Sequence, residues 1–339
     1  MVMSLRTFIQ MMLPAVEDEL RRAVASVNGT GLDELHHMLA YHMGWEGDGA
    51  GPQASGKRIR PLLVLLTTAA GGGRWQAALP AATAVELIHN FSLIHDDIED
   101  NSPLRRGRPT LWKLWGVPQA LNAGDAMFTL AHLEALRLET TLPNEKVIPA
   151  LRIIQEACLA LTQGQYLDIA YESRQNLSAK DYWPMVSGKT AALLAACTEL
   201  GALAAELDLE RQAHYRQFGR LLGLAFQAQD DILGIWGDAA LTGKSSESDL
   251  VEGKKSLPVL YGLERGGPFA KRWAEGHISP QEAPALAEQL EAEGGRAFTQ
   301  DAADQLTRQA LQALDDAQPS GEAGAALREL ALSLLQRQA

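Results

Sequence analysis

The sequence predicts an all-α fold, on the basis of its apolar pattern and of the glycines and prolines that separate the apolar segments. Many apolar segments of helical length are separated by glycine and proline, whereas alternating runs of valine, isoleucine and threonine are scarce. Of the 339 residues, 46% are hydrophobic, which is enough to bury a substantial core. No linker rich in serine, glycine or proline divides the chain and no fixed repeat is present, so we expect a single domain over residues 1–339.

The elements follow in order along the chain. Residues 1–42 have the pattern of one or two amphipathic helices, and a glycine-rich loop, 44–56, follows them. Past Gly266 the chain is rich in alanine, glutamate and glutamine around spaced leucines, so 266–339 is predicted to form C-terminal helices, to which we assign no chemical role. Between the loop and this tail, helices are predicted over residues 61–71, 76–101, 117–141, 145–174, 179–203, 208–236 and 255–265.

Charge and apolar run length exclude several classes of function. The net charge is −12, so we expect no nucleic-acid partner, because such binding requires a basic surface. The N-terminal residues lack the uninterrupted apolar core of a signal peptide. The runs 61–70 and 191–197 are too short to cross a bilayer. We therefore expect no stable membrane span and a cytoplasmic location.

One apolar helical segment leads directly into three acidic residues, Asp96, Asp97 and Asp100. Asp96 and Asp100 are four residues apart, so their carboxylates lie on one helical face. Pro103 ends the helix nearby, and at a helix C-terminus both the helix dipole and mutual repulsion disfavour negative charge. A solvated acidic face is the alternative, but no lysine or arginine interrupts the apolar run. Hard oxygen ligands grouped in this way suit Mg²⁺ together with substrate phosphates.

A second acidic pair, Asp230 and Asp231, ends another apolar helix just before Gly234 and Gly237. Two such clusters can face each other across a cavity between helices, where bridging Mg²⁺ ions would hold a diphosphate. Two unrelated surface patches are the alternative, and the repetition of the pattern disfavours it.

Basic residues are grouped close to both acid clusters. A guanidinium group can bind two phosphate oxygens at once, and a lysine adds a positive point charge. In an acidic protein this grouping predicts a site for phosphorylated ligands and metals. The basic residues are Lys57, Arg58 and Arg60, then Arg105, Arg106 and Arg108, then Lys189, and finally Lys244, Lys254 and Lys255.

Taken together, these motifs resemble the trans-isoprenyl diphosphate synthase (polyprenyl synthetase) family, and geranylgeranyl diphosphate synthases most of all. The motifs lie within residues 56–258 and follow the family's order. They are GKRxRP at 56–61, DDxxD at 96–100, RRG at 105–107, GQxxD at 164–168, KT at 189–190, FQxxDD at 226–231 and GKxxxSDLxxGKKSLP at 243–258. The chain departs from the family where the second motif often reads DDxxD, because its fifth position is Gly234.

The resemblance implies a helical bundle around a central cavity, the isoprenoid synthase type, in one polyprenyl synthetase domain. It implies a trans-prenyltransferase that joins isopentenyl diphosphate head to tail to an allylic diphosphate and works as a homodimer. Three Mg²⁺ ions would be bound, with Asp96, Asp100 and Asp230 as ligands and Asp97 as a further catalytic residue.

The same resemblance implies roles for residues around the two substrates. Thr190 and Gln165 would stabilise a carbocation with their oxygen dipoles. The allylic diphosphate would be contacted by Arg105, Lys189, Gln227 and Lys244, with Lys254 nearby and Arg58 and Phe226 in the substrate-binding set. Isopentenyl diphosphate would be held by Lys57, Arg60, His89 and Arg106.

Product length is predicted from the helix that carries the first acid cluster. Phe91 lies five residues before Asp96, about 7.5 Å along the helix axis. If the prenyl tail grows along this face, Phe91 is its floor, with Ser92 beside it and Ile88 one turn below. An aromatic residue here resembles synthases that stop near C20, so geranylgeranyl diphosphate is the expected product. C15 and C25 remain open, and a simple core role for Phe91 is the alternative.

Three other functions are alternatives, and the acidic patterns of one of them, a head-to-head condensing enzyme, are absent from the sequence. A terpene cyclase also uses an aspartate-rich magnesium site, but it has no need of a second diphosphate pocket, which Gly56–Pro61 and Arg106 indicate. A non-catalytic regulatory subunit would tolerate loss of the acidic ligands, yet all five aspartates of the two clusters are present.

Overall fold

The computed structural model describes residues 3–237 and 247–335 and confirms the all-α prediction. Single-turn 3₁₀ helices lie at Trp75–Ala78 and Arg137–Thr140, a π-helical turn at Ser187–Ala191, and short strands at Leu104–Arg105 and Arg108–Pro109. The α-helices are α1 (Leu5–Ala25), α2 (Asp33–His42), α3 (Pro52–Ser55), α4 (Ile59–Ala70), α5 (Leu79–Glu99), α6 (Leu111–Trp115), α7 (Val117–Leu136), α8 (Asn144–Ser173), α9 (Ala179–Val186), α10 (Ala192–Ala204), α11 (Leu209–Trp236), α12 (Ser248–Val251), α13 (Leu257–Arg265), α14 (Pro268–Trp273), α15 (Ala283–Ala292), α16 (Gly295–Asp316) and α17 (Gly321–Leu335).

The predicted helices agree with these bounds to within a few residues, but the short helices α6, α12 and α3, which lies inside the predicted glycine-rich loop, were not predicted. The helix predicted over 179–203 is interrupted by the π-helical turn at Ser187–Ala191. The two short strands were not predicted, because two-residue strands leave no periodic pattern in a sequence.

The described residues group into two compact units. The first runs to Gln155 and also contains Cys197–Gln212 and Pro319–Leu327. The second comprises Glu156–Ala196, Ala213–Gln318 and the chain from Arg328 onward. A single domain over residues 1–339 stays a prediction.

In the first unit the core is built on α4 and α5. Nearly every residue of α4 is buried, including the run from Leu62 to Leu66. Within the described residues, Trp75–Glu99 is the segment long and apolar enough to cross a membrane, but 67% of its most apolar window is buried inside the protein. Burial in the core accounts for its composition.

An ion pair between α4 and α5 is part of this core. Arg58, which precedes α4 in a left-handed conformation with φ of 49°, is buried and donates to Glu86 of α5 at 2.9 Å. Arg58 also donates to Glu17 of α1 at 2.7 Å. The first helix and the two core helices are therefore tied together at the point where α4 begins.

The two strands form a hairpin directly after the first acid cluster. Leu104 pairs with Pro109 and Arg105 with Arg108, so Arg106 and Gly107 form a two-residue turn. Both turn residues have positive φ, 52° and 76°, as a type I′ turn requires. The hairpin sends the neighbouring side chains Arg105 and Arg106 to different partners.

The core of the second unit includes residues next to Asp231 of the second acid cluster. It contains Tyr182 of α9, Leu224 and Ala228 of α11, and Leu257 and Leu260 further along the chain. In the C-terminal tail, Phe269 and Leu290 belong to a neighbouring apolar cluster, so this part of the tail serves packing.

We expect the buried ion pair of Arg58 and Glu86 to be a major stabilising contact. Replacing Glu86→Gln leaves a buried guanidinium with one carboxylate fewer, which should lower the free energy of unfolding by about 3 kcal/mol. Glu46, which forms an exposed pair with His37, provides the control, and Glu46→Gln should cost less than about 1 kcal/mol. Urea denaturation of both variants makes the comparison, and equal stability of the two would contradict the assignment.

Candidate active site

The first acid cluster lies at the C-terminal end of α5, as predicted. Asp97 is buried, Asp96 is half-buried and Asp100 is exposed at the position that caps the helix. The backbone N–H of Asp100 donates to the carbonyl of Asp96 at 2.9 Å. The helix therefore ends within the cluster, and its acidic side chains range from buried to exposed.

Arg105 of the hairpin binds two of these carboxylates. Its Nε donates to Asp97 at 2.7 Å, and its Nη2 donates to Asp96 at 3.3 Å. Burial raises the pKa of Asp97 to about 6, opposed by Arg105 and supported by the charges of Asp96 and Asp100. Arg105 is thus shared between two carboxylates of the cluster, and the charges of Asp96 and Asp100 favour the protonated form of Asp97.

A group of basic residues surrounds His89 in the first unit. Burial, and then the charges of Arg60, Arg106 and Arg105, lower the pKa of His89 well below its ordinary value of 6.5, so the ring is neutral at pH 7. Arg106 donates to the carbonyl of Ala54 at 2.7 Å, next to the loop that contains Lys57. Three of the four residues predicted to hold isopentenyl diphosphate, Arg60, His89 and Arg106, are therefore close enough to interact electrostatically, and the fourth, Lys57, is exposed.

His42 was not predicted and belongs to the same surroundings. Burial and nearby arginines lower its pKa to about 3, and its Nε2 is buried without a hydrogen-bond partner. It lines a pocket together with Asp97, Arg105 and Arg106. A histidine in an amphipathic helix carries no sequence signal that separates this position from ordinary packing.

Two arginines of the basic clusters have structural partners instead. The guanidinium of Arg58 is occupied by Glu17 and Glu86, so we expect it to hold the loop and the helices rather than contact a substrate. Arg108 is buried over the ring of Tyr41, at 3.9 Å, and donates to the carbonyls of Tyr41, Glu46 and Asp48. It fixes the glycine-rich loop.

In the second unit, Lys189 forms an ion pair with Asp168 of α8. Lys189 and Thr190 lie on the π-helical turn, a feature that often occurs at functional sites. The turn packs against α8 backbone to backbone: a Cβ on Gly164 would stand 2.6 Å from the carbonyl carbon of Gly188. The close approach brings the GQxxD and KT motifs together.

A hydrogen-bonded chain links the KT motif to the second acid cluster. Thr190 donates to Gln227 at 2.9 Å, and Gln227 donates to Asp231 at 3.0 Å. The other oxygen of Asp231 accepts the N–H of Leu257 at 2.8 Å. Burial raises the pKa of Asp231 to about 7, partly offset by these two donors. Asp231 is thus an internal anchor, whereas Asp230 beside it is half-buried.

The remaining predicted residues of this unit differ in their surroundings. Gln165 and Phe226 are half-buried, and Lys254 is exposed and pairs with Glu252 at 2.7 Å. Lys255 donates to the carbonyls of Tyr171, Glu172 and Arg174 and so caps the end of α8. Lys244 lies outside the described residues.

The acidic residues fit a divalent cation that binds partly through its substrate. Among residues 3–237 and 247–335, no three histidine, cysteine, aspartate or glutamate side chains form a ready-made metal site. Mg²⁺ uses one or two carboxylates and completes its shell with phosphate oxygens and water, so grouped aspartates without a full protein cage are the expected donor set.

The chain-length residues lie on the inner side of α5. Ile88 is buried, and Phe91 and Ser92 are half-buried. The ring of Phe91 lies 4.7 Å from that of Phe128 on α7 and 4.7 Å from that of His95. Phe128 was not predicted, since only the helix pairing shows which residue of α7 meets Phe91.

The second aspartate pair does not end its helix as predicted, because α11 continues through Gly234 to Trp236. An all-helical protein with one aspartate cluster at the end of α5 and another within the last two turns of α11, together with lysines and arginines, has the parts of a diphosphate-processing enzyme. Residues 51–292 match the polyprenyl synthetase family. The chain belongs to this family and is a trans-prenyltransferase, one of the trans-prenyl diphosphate synthases, which depend on a divalent metal.

Similar proteins make products of different length. The chain is 41% identical to a (2E,6E)-farnesyl diphosphate synthase of Mycobacterium tuberculosis over 318 residues, covering 90% of this chain and 87% of the relative. It is 40% identical to a geranylgeranyl diphosphate synthase of the same organism over 309 residues, covering 88% and 85%.

Two solved structures share the fold. A polyprenyl synthetase from Streptomyces coelicolor superposes with a TM-score of 0.88 at 36% identity, covering 98% of this chain and all of the other. A polyprenyl synthase from Caulobacter crescentus, complexed with calcium and isoprenyl diphosphate, gives a TM-score of 0.83 at 29% identity, covering 100% of this chain and 99% of the other.

The raised pKa of Asp231 predicts a pH dependence of stability. The folded protein holds a proton on this group up to about pH 7, whereas the unfolded chain releases it near the ordinary value of 3.8. Its contribution is therefore full below pH 3.8 and is lost as the pH rises to 7. In Asp231→Asn without metal, the fall in unfolding free energy between pH 4 and pH 7 should be smaller than in the wild type.

Asp181 provides the control for this measurement. Hydrogen bonds from Ser178 lower the pKa of Asp181, so its contribution changes below pH 3.8. Asp181→Asn should leave the dependence between pH 4 and pH 7 as in the wild type. An Asp231→Asn profile that parallels the wild type over this range would refute the assignment.

Proposed function

We propose that this enzyme catalyses the Mg²⁺-dependent head-to-tail condensation of isopentenyl diphosphate with an allylic diphosphate and releases C20 geranylgeranyl diphosphate. The observation that carries the proposal is the junction of α5 and the hairpin. There, three aspartates and Arg105 lie beside His89, Arg60 and Arg106 within one unit. A metal-diphosphate site next to a second anion site is what a two-substrate prenyl transfer requires, and a cyclase needs only the first.

For the metal we propose three Mg²⁺ ions, with Asp96, Asp100 and Asp230 as protein ligands. When bound, the ions would neutralise the diphosphate that leaves as the allylic C–O bond breaks. The calcium and isoprenyl diphosphate in the Caulobacter crescentus structure support a divalent cation and this class of ligand. Asp97, held by Arg105, would keep the cluster in position.

The basic side chains would stabilise the charge that develops on the leaving diphosphate. We assign this role to Arg105, Lys189 and Gln227, and, by the sequence motif alone, to Lys244 and Lys254. Preorganised donors act strongly because they need no reorientation during the reaction. Asp168 and Thr190 support this assignment, since they hold Lys189 and Gln227 in place.

Isopentenyl diphosphate would be bound by Lys57, Arg60, His89 and Arg106. A neutral His89 can donate one hydrogen bond to a phosphate oxygen without adding a charge that the neighbouring arginines would repel. The double bond of isopentenyl diphosphate would then attack the allylic cation, and the departing pyrophosphate would take up the proton that is lost. Gln165 and Thr190 would stabilise the cation through their oxygen dipoles.

The C20 product is supported by the aromatic pair of Phe91 and Phe128. Two half-buried rings 4.7 Å apart close the space between α5 and α7 more firmly than one ring on a flexible face. Relatives that make C15 and C20 products match this chain about equally well, so the length is argued from these rings.

A homodimer in the cytoplasm also belongs to the proposal. Several large apolar side chains on α7 are exposed, as an association surface would require. They are Val117, Leu121, Leu133 and Leu136.

The decisive assay supplies purified protein with labelled isopentenyl diphosphate and, in separate reactions, dimethylallyl, geranyl or farnesyl diphosphate, with Mg²⁺ or with a chelator. We expect linear alcohols ending at C20 after dephosphorylation, and no product with the chelator. Products that stop at C15 or continue to C25 would support the condensation reaction but contradict the proposed C20 product length. Cyclic hydrocarbon without elongation would identify a cyclase, and no product with any primer would identify a regulatory subunit.

Replacing Phe91 with alanine should lengthen the prenyl chain of the product. In Phe91→Ala the ring that meets Phe128 is gone, so the chain can grow by one or more five-carbon units beyond C20. Phe91→Tyr keeps the ring and should keep the wild-type product, which makes it the matched control. Chromatography of the dephosphorylated products compares the two, and an unchanged product from a folded, active Phe91→Ala enzyme would show that Phe91 is only a core residue.

A further inference from the structure

A small cavity lies between α2, the glycine-rich loop and the hairpin, all within the first unit. Its volume is about 20 Å³, which is room for one water molecule and too little for a diphosphate. The polar side chains that line it include His42 of α2, Asp97 of α5 and the hairpin residues Arg105 and Arg106. The cavity therefore adjoins residues assigned to both substrates, although neither substrate fits inside it.

The imidazole of His42 has an unused hydrogen-bonding atom at this cavity. Within the part of the chain that the structure describes, its Nε2 is buried and has no hydrogen-bond partner. A buried polar atom of this kind is unfavourable and is commonly satisfied by an ordered water. Burial and the charges of Arg105 and Arg106 lower the pKa of His42 to about 3, so the ring is neutral at pH 7. In a neutral ring, Nε2 either donates or accepts, depending on the tautomer.

The other polar groups on the wall of the cavity complement a water molecule. A guanidinium can only donate and an ionised carboxylate can only accept, whereas water does both. Arg105 donates to two carboxylates and Arg106 to the carbonyl of Ala54, so each guanidinium retains further N–H groups. A water that accepts from one arginine and bonds to Asp97 and His42 would make the roughly three hydrogen bonds of a typical buried water.

Contacts on either side of His42 hold the walls of the cavity in place. The preceding residue, Tyr41, donates its hydroxyl to the carbonyl of Pro109 in the hairpin at 2.9 Å. Gly44 lies against the glycine-rich loop, where a Cβ on it would stand 2.6 Å from the carbonyl carbon of Ala54. Because this end of α2 is fixed to both elements, the ring of His42 is held between them.

We propose that this cavity binds one water molecule and that His42, through this water, is a positioning residue for Arg105 and Arg106. These two arginines are adjacent in the sequence but are assigned to different substrates, so their relative placement decides how the two diphosphates meet. His42 gives both of them a fixed point on α2. The water site does not depend on the proposed function, whereas its effect on the substrates rests on it.

A crystal structure of the wild-type protein, at a resolution that shows ordered water, tests the site directly. We expect one water within hydrogen-bonding distance of Nε2 of His42 and of Asp97, Arg105 or Arg106. A well-defined cavity without a water at Nε2, or an Nε2 that bonds directly to a protein group, would overturn the inference.

Substitution of His42 tests its effect on the substrates. Leucine has a similar size but cannot bind the water, so in His42→Leu the KM for isopentenyl diphosphate should rise about tenfold. His42→Gln keeps polar atoms at the cavity and should recover most of this loss. His36→Leu removes another histidine of α2, one that does not line the cavity, and should leave the KM unchanged.

The KM separates positioning from a loss of folded protein, because a smaller folded fraction lowers the apparent kcat and leaves the KM as it is. A wild-type KM in folded His42→Leu, an equal rise in His36→Leu, or no recovery in His42→Gln would overturn the inference and leave the proposed function intact. A wild-type protein that forms no condensation product would instead contradict the proposed function. If His42→Leu does not fold, the crystal structure still decides whether the water site exists.

Discussion

The site depends on keeping carboxylates on buried, apolar helices, at the C-terminal end of α5 and within the last two turns of α11. Burial opposes negative charge at both places, and at the end of α5 the helix dipole does so too, so the surrounding elements must compensate it. At the first cluster the hairpin supplies Arg105, which binds Asp96 and Asp97. At the second, the N–H of Leu257 and the amide of Gln227 bind Asp231. The structures that follow each helix end are therefore part of the site.

The arginines near the first acid cluster fall into two groups according to what they bind. Arg58 and Arg108 are buried against carboxylates or carbonyls and hold α1, α4, α5 and the glycine-rich loop in place. Arg105 ends the first strand of the hairpin and Arg106 begins its turn, and they bind Asp97 and the carbonyl of Ala54 respectively. Sequence alone could not separate these groups, because burial depends on partners such as Glu17 and Asp48 that are distant along the chain.

The features that the sequence predicted correctly depend on residues that are close together along the chain. Apolar periodicity and glycine or proline boundaries located the helices, and the spacing of Asp96 and Asp100 indicated a shared face. The π-helical turn that carries Lys189 was missed because it lies where Gly188 closely approaches Gly164 of another helix, a contact between residues distant in the sequence. Phe128 was missed because only the pairing of α5 and α7 shows that its ring meets that of Phe91.

The two acid clusters differ in how they compensate a buried carboxylate. The first contains a permanent positive charge, Arg105, which is shared by two carboxylates and remains when no ligand is bound. In the second, Asp231 is held by neutral donors, the side chain of Gln227 and the N–H of Leu257, which fix its position without supplying a positive charge. The two buried carboxylates therefore differ in what opposes the rise of their pKa with burial, a guanidinium at Asp97 and neutral donors at Asp231.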